Sequence, residues 1–332
     1  MKFLIIGLGS MGKRRIRNLR CLDAGEIIGF DLSEERRKES EKKYKIKTFD
    51  RFEDALLANP DAFIISTPPH LHKPYILEAI KHNKHFFTEL NLISADLKEV
   101  VRKMKHKKIV ASSSTTMRYI DCIKKIKEII DDKKIGNLAS IIYHVGQYLP
   151  DWHPWEDYRN FFASRKDTSA CKEILAIELN WLTWMFGNVK SVSCMKGKFS
   201  NLDLEIEDTY HVIINFNDAA LASISVDAVS RTPFRELKII GDKGTVLWDK
   251  NGNSVRVYTS DDKKWRFYKE EKGSVEKGYV HKEEPYIQEM ADFIKAIKKR
   301  KDYFSVKEEL GNLRLLDCIE ESCEKNEQIN IR

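Results

Sequence analysis

No run in the 332 residues approaches the ~20 consecutive apolar residues of a membrane-spanning helix, so no membrane partner is expected. Only Lys2 precedes the first apolar run and no small-residue cleavage site follows it. That argues against a secretory signal and for a cytoplasmic protein. Cysteine is sparse: Cys21, Cys122, Cys171, Cys194, Cys318 and Cys323 are scattered without a C-x-x-C pair, and the step from Cys318 to Cys323 suits no metal site. Free thiols and no bound metal are the expectation. A basic stripe with interleaved aromatics is also missing. The net charge is +7, but the lysines mix with acids along helical patterns, as in Lys124-Lys125-Ile126-Lys127-Glu128, so nucleic acid is not an expected partner. Internal repeats and low-complexity tracts are absent. With 42% hydrophobic residues the chain can bury sizeable cores, and its length suggests two domains or one large one.

What is present begins at once. Gly7-Leu8-Gly9-Ser10-Met11-Gly12 follows the apolar run Phe3-Leu4-Ile5-Ile6, and Asp31 closes a second apolar run, Ile27-Ile28-Gly29-Phe30. Strand, glycine turn, helix, strand and acid are the context in which G-x-G-x-x-G signifies dinucleotide binding. Gly7 would make the tight turn, Gly9 would let the backbone approach a pyrophosphate, and Gly12 would let helix and strand pack closely. The helix N-terminus offers N–H groups and a positive dipole end to the phosphates. Asp31 would accept hydrogen bonds from a ribose diol. Gly7, Gly9, Ser10, Met11, Gly12 and Asp31 are the first cofactor-binding candidates. Arg36 and Arg37 could serve a 2′-phosphate, but as helix-surface charges they read as solvated, so NAD is favoured over NADP.

Through residue 120 strand and helix patterns alternate, which predicts an α/β domain, a Rossmann doubly wound parallel sheet over 1–120. Beyond it the period changes to two. Strands are expected at 138–145, 192–198, 210–216, 220–226, 236–240, 245–248, 255–258 and 265–268, with turns such as Asn217-Asp218 and Asn251-Gly252. A helix over 171–186 closes on Gly187, and two helices, 285–298 and 306–324, end the chain. The second domain, 121–332, is expected to be α+β with an open, mostly antiparallel sheet for substrate and oligomer contacts. Val212, Ile214, Phe216, Ile224 and Val226 cannot all be solvated, which predicts a homodimer or homotetramer that buries a free sheet face.

Further segments join the glycine turn: Ser66-Thr67-Pro68-Pro69-His70-Leu71-His72, Phe86-Phe87-Thr88-Glu89-Leu90-Asn91, Met117-Arg118-Tyr119, Lys134-Ile135-Gly136 and the stretch from Lys238 to Thr245. With these the chain resembles the glucose–fructose oxidoreductase, inositol dehydrogenase and rhizopine-catabolism (Gfo/Idh/MocA) family of NAD(P)-dependent oxidoreductases over nearly its whole length. The resemblance implies a nicotinamide cofactor held by the first domain, with Ser66, Thr67, Pro68, His72 and Glu89 joining the cofactor site. It also implies a carbohydrate or polyol substrate on the second domain's sheet. The chain departs from the family pattern in two places. Glu-Lys-Pro at 89–91 becomes Glu89-Leu90-Asn91, losing the lysine. On the helix starting near 171, the family's acid and histidine, three or four residues apart, match Ile174 and Ile177, and its next acid matches Asn180.

Substitutes must therefore carry any catalysis. The segment Asp151-Trp152-His153-Pro154-Trp155-Glu156-Asp157-Tyr158-Arg159 concentrates ionisable and aromatic groups. His153 is the expected acid/base near pH 7, and Glu178 is the second catalytic candidate. Glu173 lies on the same helix, five residues earlier and turned away. Arg118, Tyr119, Trp152, Arg159 and Lys172 are the substrate candidates, the cations suiting a carboxylate or phosphate. The plain alternative is that Trp152, Trp155 and Tyr158 pack a long loop capped by Asp151 and Glu156. The expected function is an NAD-dependent oxidoreductase acting on a sugar, sugar nucleotide or polyol. The rivals are a lyase or glycosidase using NAD transiently, and an NAD-binding protein that has lost catalysis.

Overall fold

In the computed structural model, residues 1–154, 156–217, 220–270, 273–277, 282–299 and 304–331 are described; Trp155 and Asp218 lie outside them. The chain divides into two compact units, Met1–Tyr119 with Gly273–Gly311, and Ile120–Lys272 with Asn312–Arg332.

The first unit opens with β1 (Lys2–Ile6), α1 (Ser10–Cys21), β2 (Glu26–Phe30), α2 (Glu34–Tyr44), β3 (Lys47–Phe49), α3 (Phe52–Leu57), β4 (Ala62–Ile65), α4 (His72–Lys81), β5 (His85–Thr88), α5 (Ser94–Lys103) and β6 (Ala111–Ser113). The strands form one parallel sheet in the order β3-β2-β1-β4-β5-β6. Their continuous apolar runs suit strands covered on both faces: Phe3 to Ile6 and Ala62 to Ile65 are fully buried. Local chemistry sets the helix ends. Ser33 caps α2 by accepting from Arg36 N, with Glu34 and Glu35 in the first turn and Lys42 and Lys43 in the last, matching the helix dipole.

The second unit carries α6 (Asp121–Asp131), β7 (Leu138–Gly146), α7 (Ala170–Phe186), β8 (Val189–Gly197), β9 (Thr209–Phe216), β10 (Leu221–Asp227), β11 (Phe234–Gly241), β12 (Gly244–Asp249), β13 (Ser254–Thr259) and β14 (Trp265–Lys269). Then α8 (Glu284–Lys299) returns to the first unit, where Met290, Phe293 and Ile294 join a core with Phe3, Ile5 and Phe87. The last elements are α9 (Val306–Lys325) and β15 (Ile329–Asn330). The second sheet runs β14-β13-β12-β11-β7-β10-β9-β8-β15. Only β7 and β10 pair in parallel; the other neighbours are antiparallel. Gly187 ends α7 at φ +89°, a conformation open to glycine at little cost.

One expectation needs correcting. Val212, Ile214, Phe216, Ile224 and Val226 lie on the face that α7 covers, with Phe186 of α7 5.5 Å from the Phe216 ring. They are buried by their own chain and require no second subunit. The alternate residues point the other way: Ile142, Ile213, Leu221 and Met195 are 48%, 42%, 55% and 79% exposed. Among the described residues no helix is long and apolar enough to cross a membrane.

Candidate active site

Between β1 and β4 the strand order reverses, and open parallel sheets bind ligands beyond the carboxyl ends of their strands at such a point. The glycine turn occupies it. Gly7 sits at φ +90°, and a Cβ there would lie 2.8 Å from the Ser66 carbonyl oxygen. A Cβ on Gly12 would fall 1.8 Å from the Gly7 carbonyl oxygen, so helix and turn meet only because both residues are glycine. Gly9 differs: the nearest atom to a Cβ there is Arg36 Nη1 at 3.9 Å, so the space in front of it is open. Gly9 is also the N-cap of α1, whose first turn, with Ser10 and Met11, has no side-chain cap bond and no acid. An anion is the natural complement of that helix end.

Asp31 lies at the end of β2, nearly buried. Its Oδ2 accepts from Leu8 N at 2.7 Å and its Oδ1 from Ser33 N at 2.8 Å. Each oxygen keeps capacity for a ribose hydroxyl. Arg36 Nη1 approaches Oδ2 at 3.8 Å, while Arg37 Nη1 is committed to the Asp31 and Leu32 carbonyls. Open space at Gly9, a bare helix N-terminus and a fixed carboxylate together fit a dinucleotide.

The other candidates of this unit brace the same end of the sheet. Ser66 and Thr67 follow β4 directly, with Pro68 exposed beyond them. Ser66 Oγ donates to Glu89 Oε1 at 3.3 Å. Glu89 receives the Arg15 guanidinium in a bidentate pair, 2.7 and 2.8 Å, and Arg15 also donates to Glu289 at 2.8 Å. His72 is 1% exposed. Its Nδ1 lies 3.0 Å from Asn91 Oδ1 and its Nε2 2.7 Å from the Thr67 carbonyl. It holds the loop through the Thr67 backbone carbonyl. Arg118 stacks 4.4 Å over Phe304, and Tyr119 donates its hydroxyl to Asp292 at 2.9 Å.

In the second unit the segment after β7 folds into three short 3₁₀ turns, Leu149–Asp151, Tyr158–Asn160 and Phe162–Ser164. It is anchored where β10 ends: Gln147 N and Leu149 N donate to the Asp227 and Ala228 carbonyls. His153 Nδ1 lies 3.0 Å from Glu156 Oε1, and the ring stacks at 4.4 Å on Phe161. Burial lowers its pKa against the pull of Glu156, which favours the neutral ring. Trp152 Nε1 is buried without an acceptor among the described residues, a donor left for a ligand or water.

The expected anion anchors are already matched by acids. Arg159 pairs with Asp157 at 2.8 Å and Asp203 at 3.1 Å. Lys172 pairs at 3.1 Å with Glu320, which also takes Lys196 at 2.7 Å. Glu178 is fully buried. Its carboxylate accepts from Tyr143 OH at 2.6 Å, Trp181 Nε1 at 2.5 Å and Arg235 Nε at 2.9 Å. That makes it the internal partner of Arg235. The structure therefore gathers the cofactor candidates at one sheet end, but it does not bring Lys172 and Glu178 to His153.

Two groups went unselected in the sequence. Glu173, one turn into α7, is half-buried, with Oε2 lacking a partner among the described residues. Burial pushes its carboxyl up to about 8. The sequence shows the acid but not its burial. His144 of β7 lies 3.1 Å from Asp227 Oδ2 and edge-on to Phe234 at 4.6 Å. Asp227 also accepts from Val229 N and Ser230 N, and these bonds with His144 hold its carboxyl below the usual range. A strand histidine in alternation looks like any packing residue until its partner is placed.

Comparison with known proteins follows the same division. Residues 1–114 match the oxidoreductase family described by its NAD-binding Rossmann fold, and residues 123–247 match the GFO/IDH/MocA C-terminal domain. Glucose-6-phosphate 3-dehydrogenase of Bacillus subtilis is 25% identical over 146 residues, 43% of this chain and 41% of that protein. Inositol 2-dehydrogenase of Burkholderia vietnamiensis is 24% identical over 193 residues, 55% of this chain and 53% of that protein. The chain thus aligns with about half the length of these curated relatives. Levoglucosan dehydrogenase, solved with NADH and levoglucosan, superposes with a TM-score of 0.87 at 17% identity, covering 100% of this chain and 99% of that one. At that identity the likeness is one of fold.

Proposed function

The chain belongs to the Gfo/Idh/MocA oxidoreductase family, and from that premise we propose that it is an NAD-dependent oxidoreductase acting on a carbinol of a sugar, sugar nucleotide or related polyol. The observation that carries this reading is the cradle at the switch point: open space before Gly9, an uncapped α1 and the fixed carboxylate of Asp31. Gly7, Gly9, Ser10, Met11 and Gly12 would hold the diphosphate, Asp31 the adenosine ribose, and Ser66, Thr67 and Pro68 would border the nicotinamide. When bound, that cofactor supplies the hydride chemistry. The chain's own task is to orient the substrate, exclude water and move a proton.

For the proton we favour Glu173 over Glu178. Glu173 keeps an oxygen unpartnered among the described residues and a raised pKa of about 8, whereas Glu178 is locked to Arg235. A group poised near the working pH is suited to general acid/base catalysis. His153, a neutral ring beside Glu156, is the alternative. The carbohydrate class is supported by the relatives, whose names are those of dehydrogenases of sugars and polyols. The exposed apolar row Ile142, Ile213, Leu221 and Met195 supports a homodimer or homotetramer. Six free cysteines suit a cytoplasmic location.

The reading is tested by titrating NADH fluorescence and then following reduced-cofactor absorbance over a panel of sugars and sugar nucleotides. NADH binding with turnover is the expected result. NADH binding without turnover on any of them favours a cofactor-binding protein without catalysis, the reading suggested by apolar Leu90 and Ile177 where the family pattern is polar. Absence of NADH binding overturns both.

A further inference from the structure

Beneath the loop that follows β4 lies a chain of polar groups: Glu309, Asn91, His72 and the Thr67 carbonyl. Asn91 is its centre. Its backbone N–H donates to Glu309 Oε1 at 2.8 Å, and its Nδ2 donates to Glu309 Oε2 at 2.7 Å and to Thr88 Oγ1 at 2.8 Å. Thr88 spends its own proton on the Glu89 carbonyl. The Asn91 amide nitrogen is thus committed, which leaves Oδ1, an acceptor, facing His72 Nδ1 at 3.0 Å. On the other side of the ring the Thr67 carbonyl, also only an acceptor, faces Nε2 at 2.7 Å. Two acceptors require two N–H donors, so this geometry calls for an imidazolium. Glu309 receives three donors, two from Asn91 and one from Ser113 Oγ, and so fixes which way the Asn91 amide faces. The negative charge that favours the imidazolium is that of Glu89.

We propose that Asn91 and Glu309 are positioning residues that keep His72 as a buried cation, which grips the Thr67 carbonyl and so holds the Ser66–Pro68 loop ready for the cofactor. This rests on the nicotinamide reading above. The loop adjoins the glycine turn, since a Cβ on Gly7 would meet Ser66 O and Thr67 N. Asn91 and Glu309 act only through His72, and His72 only through a backbone carbonyl.

Burial opposes both charges, lowering His72 and pushing Glu309 up to about 7. The hydrogen bonds to Asn91 and Thr67 and the nearby Glu89 charge favour the cation, while His70 disfavours it. Raising the pH should discharge the ring and loosen the loop.

The direct test is ¹⁵N NMR of the unliganded protein, with the His72 signals identified by their loss in His72→Gln. Both ring nitrogens should carry protons in the wild type at the acid end of the pH 5–8 range, and the ring should be neutral there in Asn91→Leu. Glu309→Gln should also neutralise it, and serves if Asn91→Leu fails to fold. NADH titrations supply the functional arm. Wild-type affinity should fall as pH rises through the His72 transition. Asn91→Leu should be pH-independent there and roughly tenfold weaker at low pH, the scale of a lost hydrogen bond to a charged group. A neutral His72 throughout pH 5–8 in the wild type, or identical pH profiles of NADH affinity in wild type and variant, overturns the proposal. Failure of the wild type to bind NADH at all instead counts against the cofactor reading, because the NMR result does not depend on it.

Discussion

Single side chains set the chemistry of both units. Asp31 presents a carboxylate, held by two backbone N–H groups, at the end of β2, and in the proposed reading it takes the adenosine ribose. NADH is expected to bind at least ~10-fold tighter than NADPH, about 1.4 kcal/mol, and Asp31→Ser should erode that preference. Calorimetry giving equal or tighter NADPH binding to the wild type would assign the choice to Arg36 instead. Glu173 makes a second residue-scale prediction. If it takes the substrate proton it must be ionised, so kcat/KM for alcohol oxidation should rise with pH towards about 8, and Glu173→Gln should lower kcat by roughly 10²-fold and remove that limb. Retained turnover in Glu173→Gln moves the role to His153. Stability provides a separate check on the shift. A carboxyl raised from 4.5 to about 8 stabilises the fold fully below the unfolded value and loses that contribution as pH rises through the folded one. The Tm of the wild type should therefore fall relative to Glu173→Gln between pH 4.5 and 8.

At the scale of elements, two glycines of one turn should respond differently to the same change. In Gly12→Ala the new methyl meets the Gly7 carbonyl at 1.8 Å, so the β1–α1 packing must shift and both stability and NADH affinity should drop. In Gly9→Ala the methyl enters open space, so thermal stability should stay near wild type while NADH affinity is lost. Paired melting and NADH titration read both. Helix α7 is tied to the second sheet by Glu178 and Arg235, a buried pair completed by Tyr143 and Trp181. Glu178→Ala strands Arg235 without its partner, and urea unfolding should show a loss of about 3 kcal/mol or more. An unchanged unfolding midpoint with lost turnover would assign Glu178 a catalytic role.

On the scale of the whole molecule, the second sheet has one face under α7 and another with Ile142, Ile213, Leu221 and Met195 in the open. Apolar patches of this kind mark association surfaces. Light scattering at micromolar concentration should show a dimer or tetramer, and Ile213→Asp, a charge set in the middle of that face, should give a folded monomer. A wild-type monomer removes the need for the surface to be an interface.

The sequence by itself determined the fold class and the place of the glycine turn and its following acid, because both rest on signals that are local. Unbroken apolar runs, a glycine turn and an acid closing the next strand lie within one short stretch, and period-two alternation with its turns marks the second sheet without any distant partner. Candidate chemistry on α7 and in the 151–159 segment was legible only as residue types. Tertiary structure decided what those residues are free to do, since burial and neutralisation come from groups far along the chain. Glu178 is withdrawn by Arg235, Lys172 by Glu320 and Arg159 partly by Asp203, while Glu173 is left in a poorly solvated place with one oxygen lacking a partner among the described residues. His72 shows the same division within one residue. Its place after β4 could be read from the sequence, but the acceptors on both sides of its ring exist only because Asn91 is braced by Glu309, 218 residues further on.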